Sequence, residues 1–272
     1  QAPLAGPPAV METMIILPLT NGQLFRLMLP LEEKPTLIAG PNWRSKQAAP
    51  DAPGRVTALG PDTFLTYDGA RGLTHWKWPA DAVWQVLPPN KGVPTLRGKE
   101  GDSLAADPIV LPDAPEAPRR VCIADVSGTA TLLTVQSDGA LKPGRSWNVG
   151  GRITSGPYIQ IVDGAARIGC VVDANRLLWI DPEKDSVLWT YPAKPGAALV
   201  GRPRLVAGMV VAADESGRIV GLKPETGESA GFEYQLQGSA APTATPVGFG
   251  SDRLFVPLTD GTVLLPKVER MH

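Results

Sequence analysis

The feature that most constrains this chain is an apolar run that breaks at a short polar turn and then resumes, six times over. The six are "LPLTNGQLFRL", "LTYDGARGLTHW", "CIADVSGTATLL", "CVVDANRLLWI", "VAADESGRIVGL" and "VPLTDGTVLL". Each half is strand-length and rich in Val, Ile and Leu, and the break between halves is turn chemistry, so each phrase reads as a β-hairpin. Asn21-Gly22, Asp68-Gly69, Ser127-Gly128, Ser216-Gly217 and Asp260-Gly261 supply positive φ cheaply, as tight hairpins require.

A second marker alternates with the first. It is a short lead-in segment ending in proline: Leu4 to Pro8, Leu37 to Pro41, Leu104 to Pro108, Ile153 to Pro157, Leu199 to Pro203 and Pro242 to Pro246. These closing prolines step by 33, 67, 49, 46 and 43 residues. A period in the forties with several short strands per repeat is the mark of a propeller blade, not of a helical solenoid. The fold expected is therefore an all-β propeller in one domain, 1–272. Its repeats fall near 1–35, 36–102, 103–150, 151–196, 197–238 and 239–272. Six blades are expected, or seven if the long second repeat hides a degenerate one. The last repeat ends soon after "TVLLPKV" without an outer strand, and the first looks short after "LFRLML", which leaves the mode of closure open. The small residues of the lead-in segments suit an inner strand. Trp84, Trp147, Trp189 and Phe232, on the last strand of their repeats, suit packing between blades. The stretches 42–54, 88–102 and 112–120 read as surface loops.

Bulk properties exclude several classes of function. The net charge is −1, so no global field favours nucleic acid or an anionic membrane. The longest apolar stretch, Met14 to Leu19, is far too short to span a bilayer. Gly and Pro number 29 each, yet 43% apolar content in regular runs argues for a folded, turn-rich chain. The chain opens on Gln1, as a processed or truncated product does, and the C-terminal portion of a longer protein is one reading of it. Cys122 and Cys170 occupy equivalent places in "CIAD" and "CVVD", so they point the same way and are expected to be free, buried thiols.

"LLWIDPEKDSVLWTY", with "GRIVGLKPETGE" as a second copy, resembles the blade phrase of the pyrroloquinoline-quinone-like (PQQ-like) β-propellers. That superfamily includes quinoprotein dehydrogenases, the outer-membrane assembly lipoprotein of the Bam machinery, and bacterial tandem-repeat proteins of planctomycete type. The match is good over 150–238 and thins to the hairpins elsewhere. The resemblance implies a periplasmic or other extracytoplasmic location. The quinoprotein branch carries adjacent bridged cysteines beside its cofactor; this chain has none, so no cofactor residue is transferred. Gly-His openings with Trp-Asp endings, the marks of WD repeats, are also missing from the sequence.

Little in the sequence points to catalysis. The two histidines are His75 and His272. In "LTHWKW", alternation sets His75 with Lys77 on one face, expected to meet solvent, and Trp76 with Trp78 on the other. "DVSG", "DESG" and "PEKDS" read as turn chemistry, and "NVGGRITSGP" as a connection running into a strand rather than a phosphate loop. The candidate interaction surface is Trp43, Arg44, His75, Arg119 and Arg120. Trp43, in a Pro- and Lys-containing loop, is expected to be exposed, with Arg44 as its companion anchor. Arg119 and Arg120 form a small basic tip. The function expected is a non-catalytic scaffold that binds another protein, without a cofactor. The alternative is a degenerate or novel enzyme with its site at the mouth of the central channel.

Overall fold

A computed structural model describes residues 2–44, 53–69, 73–88, 103–113, 117–250 and 252–268. The described residues form strands and turns, gathered into five four-stranded sheets and one three-stranded sheet. Each sheet is a meander in which consecutive strands pair. The first sheet comprises β1 (Ala9–Val10), β2 (Met14–Pro18), β3 (Gln23–Met28) and β4 (Leu37–Asn42); the second β5 (Arg55–Ala58), β6 (Thr63–Tyr67), β7 (Leu73–Lys77) and β8 (Gln85–Leu87). The third comprises β9 (Ile109–Val110), β10 (Arg120–Ala124), β11 (Thr129–Val135) and β12 (Leu141–Asn148); the fourth β13 (Ile153–Val162), β14 (Ala165–Val172), β15 (Arg176–Ile180) and β16 (Val187–Pro192). The fifth comprises β17 (Arg204–Val206), β18 (Met209–Ala213), β19 (Arg218–Leu222) and β20 (Ser229–Gln235); the sixth β21 (Val247–Phe249), β22 (Arg253–Pro257) and β23 (Val263–Leu264).

The hairpin phrases of the sequence are the second and third strands of each sheet, and their glycines adopt the positive φ expected: Gly22, Gly69, Gly128, Gly217 and Gly261. The segment from Leu37 to Pro41 is not the start of a repeat. It belongs to β4, the outer strand of the first sheet, paired with β3 through Arg26↔Ile38 and Leu27↔Leu37. The first repeat is therefore complete and the second begins at β5. Counted from the second strand of each sheet, the steps become 49, 57, 45, 44 and 44 residues. The sixth sheet does lack an outer strand among the described residues, as its sequence indicated.

Two compact units divide the chain, 1–125 with 132–144 and 126–131 with 145–272. In the first unit, Met14, Ile16 and Leu24 of the first sheet pack with Val56, Phe64, Trp76 and Trp78 of the second. Gly40 makes that approach possible, because a Cβ there would lie 2.3 Å from the Trp78 ring. Leu65, Tyr67 and Leu73 then pack with Val121, Ile123 and Leu133 of the third sheet. In the second unit, Tyr158, Leu177 and Trp179 meet Val210, Ala212 and Val220, and Met209, Val211 and Ile219 meet Leu254, Val256 and Val268. Sheets packed on both faces bury every residue of a strand, as in β18, where all five side chains are buried. Cys122 and Cys170 are free and buried, and burial pushes the Cys170 thiol up to about 12, so it stays protonated at neutral pH.

Polar side chains tie each of the first four sheets to the turn between the third and fourth strands of the next. Arg26 donates to the carbonyls of Pro79 and Ala80 at 2.5 and 2.8 Å, with its guanidinium 4.6 Å from the centre of the Trp78 ring. His75 bonds the Gly139 carbonyl at 2.8 Å. The indole N–H of Trp147 donates to Lys184 O at 2.9 Å and that of Trp189 to Pro224 O at 2.8 Å. Trp147 and Trp189 thus pack between sheets and satisfy turn carbonyls at once, whereas Trp84, expected to do the same, precedes β8 and is 38% exposed.

Candidate interaction surface

Trp43 and Arg44 follow β4 directly. Contrary to the sequence expectation, Trp43 is only 4% exposed. Its backbone N–H donates to Gly22 O at 2.8 Å, and a Cβ on Gly54 would fall 2.6 Å from its ring. The indole fills a slot that only glycine leaves open and joins the core between the first two sheets. Arg44 sits over it, 5.0 Å from the ring centre, and its N–H donates to Asn42 Oδ1. Arg44 is itself half-buried over the indole.

His75 does not meet solvent either; it is 3% exposed. Strand alternation separated it correctly from Trp76, but the face it shares with Leu73 is covered too, so a side chain turned away from the tryptophans is still buried. The Gly139 carbonyl can only accept, so Nδ1 carries the proton and Nε2 a lone pair. Burial pushes the imidazole below its ordinary value, with the Gly139 bond acting in the opposite direction.

Both arginines of the expected basic tip hold partners, Arg119 while exposed and Arg120 half-buried. Arg119 donates to the Leu59 carbonyl. Arg120 grips Asp113 through Nε at 2.9 Å and Nη2 at 2.5 Å, and its backbone N–H reaches the other carboxylate oxygen at 3.0 Å. Of the five nominated residues the structure brings Trp43 and Arg44 into contact. It places His75, Arg119 and Arg120 in separate ties between segments.

The sequence did not single out a charged rim in the second unit. Asp173 and Ala174 turn the chain from β14 to β15 with φ of 50° and 59°. Asp173 accepts from Arg176 Nη2 at 2.7 Å and from the Arg152 N–H at 2.9 Å; those bonds, Arg176 first, hold its carboxyl below the usual range. Arg176 also donates to Gly150 O. Beyond β16, Lys194 donates through Nζ to Gln235 Oε1. These groups border an open basin of about 500 Å³, lined by Gly150, Asp173, Asn175, Arg176 and 192–196. The next turn is fixed from within: Asp214 Oδ1 accepts from the N–H and hydroxyl of Ser216 at 2.9 and 2.5 Å, and Asp181 accepts from the Glu183 N–H at 2.9 Å. "DESG" and "PEKDS" are thus turn chemistry, as read. The signal for the rim was "DANR", an acid and an arginine placed to pair across a hairpin.

Among the described residues no group of three or more His, Cys, Asp or Glu could hold a metal ion, and no helix is long and apolar enough to cross a membrane.

No family model and no curated protein matches the sequence. Solved structures do match in fold. BamB from Moraxella catarrhalis superposes with a TM-score of 0.53 at 14% identity, over 95% of this chain and 71% of that one. The WD40 domain of SCAP from fission yeast gives 0.59 at 10%, over 92% and 61%. The dihydro-heme d1 dehydrogenase NirN gives 0.61 at 15%, over 97% and 56%. The class is settled by this likeness and by the six meander sheets: the chain has the all-β fold of a β-propeller. At such identities the likeness concerns the fold alone.

Proposed function

We propose that this chain is a non-catalytic scaffold of the PQQ-like propeller type that binds another protein through the charged rim of its second unit. The observation that carries the reading is the fixed geometry of that rim. Arg176 is held by Asp173 and Gly150 O, and Lys194 by Gln235, beside an open basin of about 500 Å³. Rigid, partly exposed cations beside a shallow concavity contact a partner at low entropic cost. Chemistry would instead need a nucleophile or base within reach of a bound substrate, whereas Asp173 at the basin gives its oxygens to the Arg152 N–H and the Arg176 guanidinium. BamB, the WD40 domain of SCAP and NirN share this fold while differing in what they do, so the site and not the fold must carry function. An extracytoplasmic location forms part of the same proposal.

The test is chemical cross-linking and capture from the native extract. It compares the unaltered chain, the pair Arg176→Glu with Lys194→Glu, and the pair Trp43→Ala with Arg44→Ala. The rim pair is expected to lose the captured partner while the second pair retains it. Capture lost only with Trp43 and Arg44 would move the surface to the first unit, and capture unaffected by either pair would remove both.

A further inference from the structure

The sixth sheet ends at an edge that the other five sheets do not have. Each of those continues to a fourth strand, whereas β23 has no strand beyond it among the described residues. The backbone direction along this edge follows from its bonds to β22. Leu258 N–H donates to Thr262 O at 2.9 Å, Leu254 N–H to Pro266 O at 3.0 Å and Val268 N–H to Asp252 O at 2.6 Å. Together with the pairs Val256↔Leu264 and Arg253↔Lys267, these fix a single antiparallel register over 262–268. Residues alternate in an antiparallel ladder, so 262, 264, 266 and 268 turn their polar groups to β22, and Val263, Leu265 and Lys267 turn theirs outward. Pro266, which has no N–H to give, belongs to the inward set. It breaks a bond to β22 and leaves the outward row of donors and acceptors whole.

The side chains follow the same alternation. Pro266 and Val268 are buried, while Val263 is 46% and Leu265 39% exposed, and Phe249 on β21, two strands away, is 54% exposed. Arg253 and Lys267 stand opposite each other on that face, and no acid among the described residues pairs with either. We propose that the outward edge of residues 263–267 takes up an extended acidic segment of another polypeptide, added antiparallel as a fourth strand. The fifth sheet shows what such a strand looks like. In β20, Ala230, Phe232 and Tyr234 pack inward while Glu233 pairs with Arg218 of β19 at 2.8 Å. In β20 the aromatics and Glu233 lie on opposite faces, whereas Val263, Leu265 and Lys267 share one, so the occupant sets apolar or aromatic side chains beside Val263 and Leu265 and a carboxylate at the next position of that same face, beside Lys267. Charge decides against a second copy as the occupant, since it would add two more cations to a face that already has two. Main-chain bonds supply the affinity and the alternate side chains the choice of partner.

The probe is a labelled peptide with the sequence of residues 228–236, ESAGFEYQL, which has the required alternation and two acids. Fluorescence anisotropy and amide exchange by NMR are read on the full chain. Saturable binding is expected, with slowed exchange confined to the amides of Val263, Leu265 and Lys267. Leu265→Pro, which removes an outward N–H, is expected to weaken binding at least tenfold. Lys267→Glu is expected to weaken it severalfold while leaving the circular dichroism unchanged, so loss of fold is not the explanation. No saturable binding, or protection elsewhere, overturns the proposal. So does slow exchange of the three amides without peptide: if independent of concentration, the chain covers its own edge, and if rising with concentration, a second copy does.

Discussion

Acidification is expected to loosen the seam between the second sheet and the hairpin at 136–141, through His75 alone. The ring lies on β7, with Leu65 and Leu87 as its neighbours across the sheet. Leu73 and Lys77 share its face of the strand, and Lys77 reaches Asp62 at 3.7 Å. In the facing hairpin Asp138 accepts from the Ala140 N–H at 2.9 Å. Burial lowers the imidazole pKa, the Gly139 carbonyl raises it, and no charged group offsets the burial. Nε2 is buried without a hydrogen-bond partner in the described structure, so a proton there would have no acceptor.

The sign follows from linkage. Below about pH 6.5 the imidazole of the unfolded chain takes up a proton that the folded one refuses, so the unfolded state binds more protons and stability falls as pH falls. The slope approaches about 1.4 kcal/mol per pH unit, which limits the loss between pH 7.5 and 5.5 to about 1.4 kcal/mol. His75→Asn sets an amide N–H where Nδ1 was, keeps the bond to Gly139 O and cannot titrate. The assay is hydrogen exchange of the amides of β6 and β7, corrected for intrinsic rates, at the two pH values in both proteins. Faster opening at pH 5.5 is expected in the unaltered chain and not in the variant. An identical acid response in both would refute the argument, because the proton would then be acting somewhere other than His75.

Three substitutions test how the sheets are tied together. Trp189→Phe keeps most of the packing against Trp179, 5.4 Å away centre to centre, but leaves Pro224 O without its donor. Denaturant unfolding should show a loss of about 1–3 kcal/mol, and an unchanged midpoint would make the bond irrelevant. Ala174→Gly relieves a non-glycine residue at φ 59° and should raise stability by about 1 kcal/mol. A lower melting temperature would contradict that. Gly40→Ala drives a methyl carbon into the Trp78 ring and should lower stability by about 1–3 kcal/mol, read as a lower melting temperature with a red-shifted tryptophan emission.

Hairpins were legible because their chemistry is local. A Gly after Asn, Asp or Ser announces positive φ within two residues, and Gly22, Gly69, Gly128, Gly217 and Gly261 all adopt it. The strand at Leu37–Asn42 misled because an apolar run ending in Gly-Pro looks the same at the start of one sheet as at the end of another. What separates them is the partner, β3, nine residues upstream of β4. Asp163-Gly164 and Ala207-Gly208 form turns of another kind, with positive φ at both positions; the first carries the same Asp-Gly signal, the second does not.

The misplaced site residues share a different cause. Alternation assigns residues to faces but does not say which face is wet, and in a stack of sheets neither is. His75 and Trp43 were each judged by neighbours in sequence, whereas their surroundings are Gly139, 64 residues away, and Gly22 with Gly54. The same limit explains why the outer-strand aromatics read as packing only. Arg26, His75, Trp147 and Trp189 are three residue types, yet each gives a side-chain N–H to a carbonyl in the third turn of the following sheet. Phe232 occupies the corresponding place in the fifth sheet and has no N–H to give. Among the described residues the sheet that follows it stops at β23 without a fourth strand, and so without a third turn to receive one. The donor and its acceptor are missing together, which ties the identity of one aromatic residue to the strand count of the next sheet.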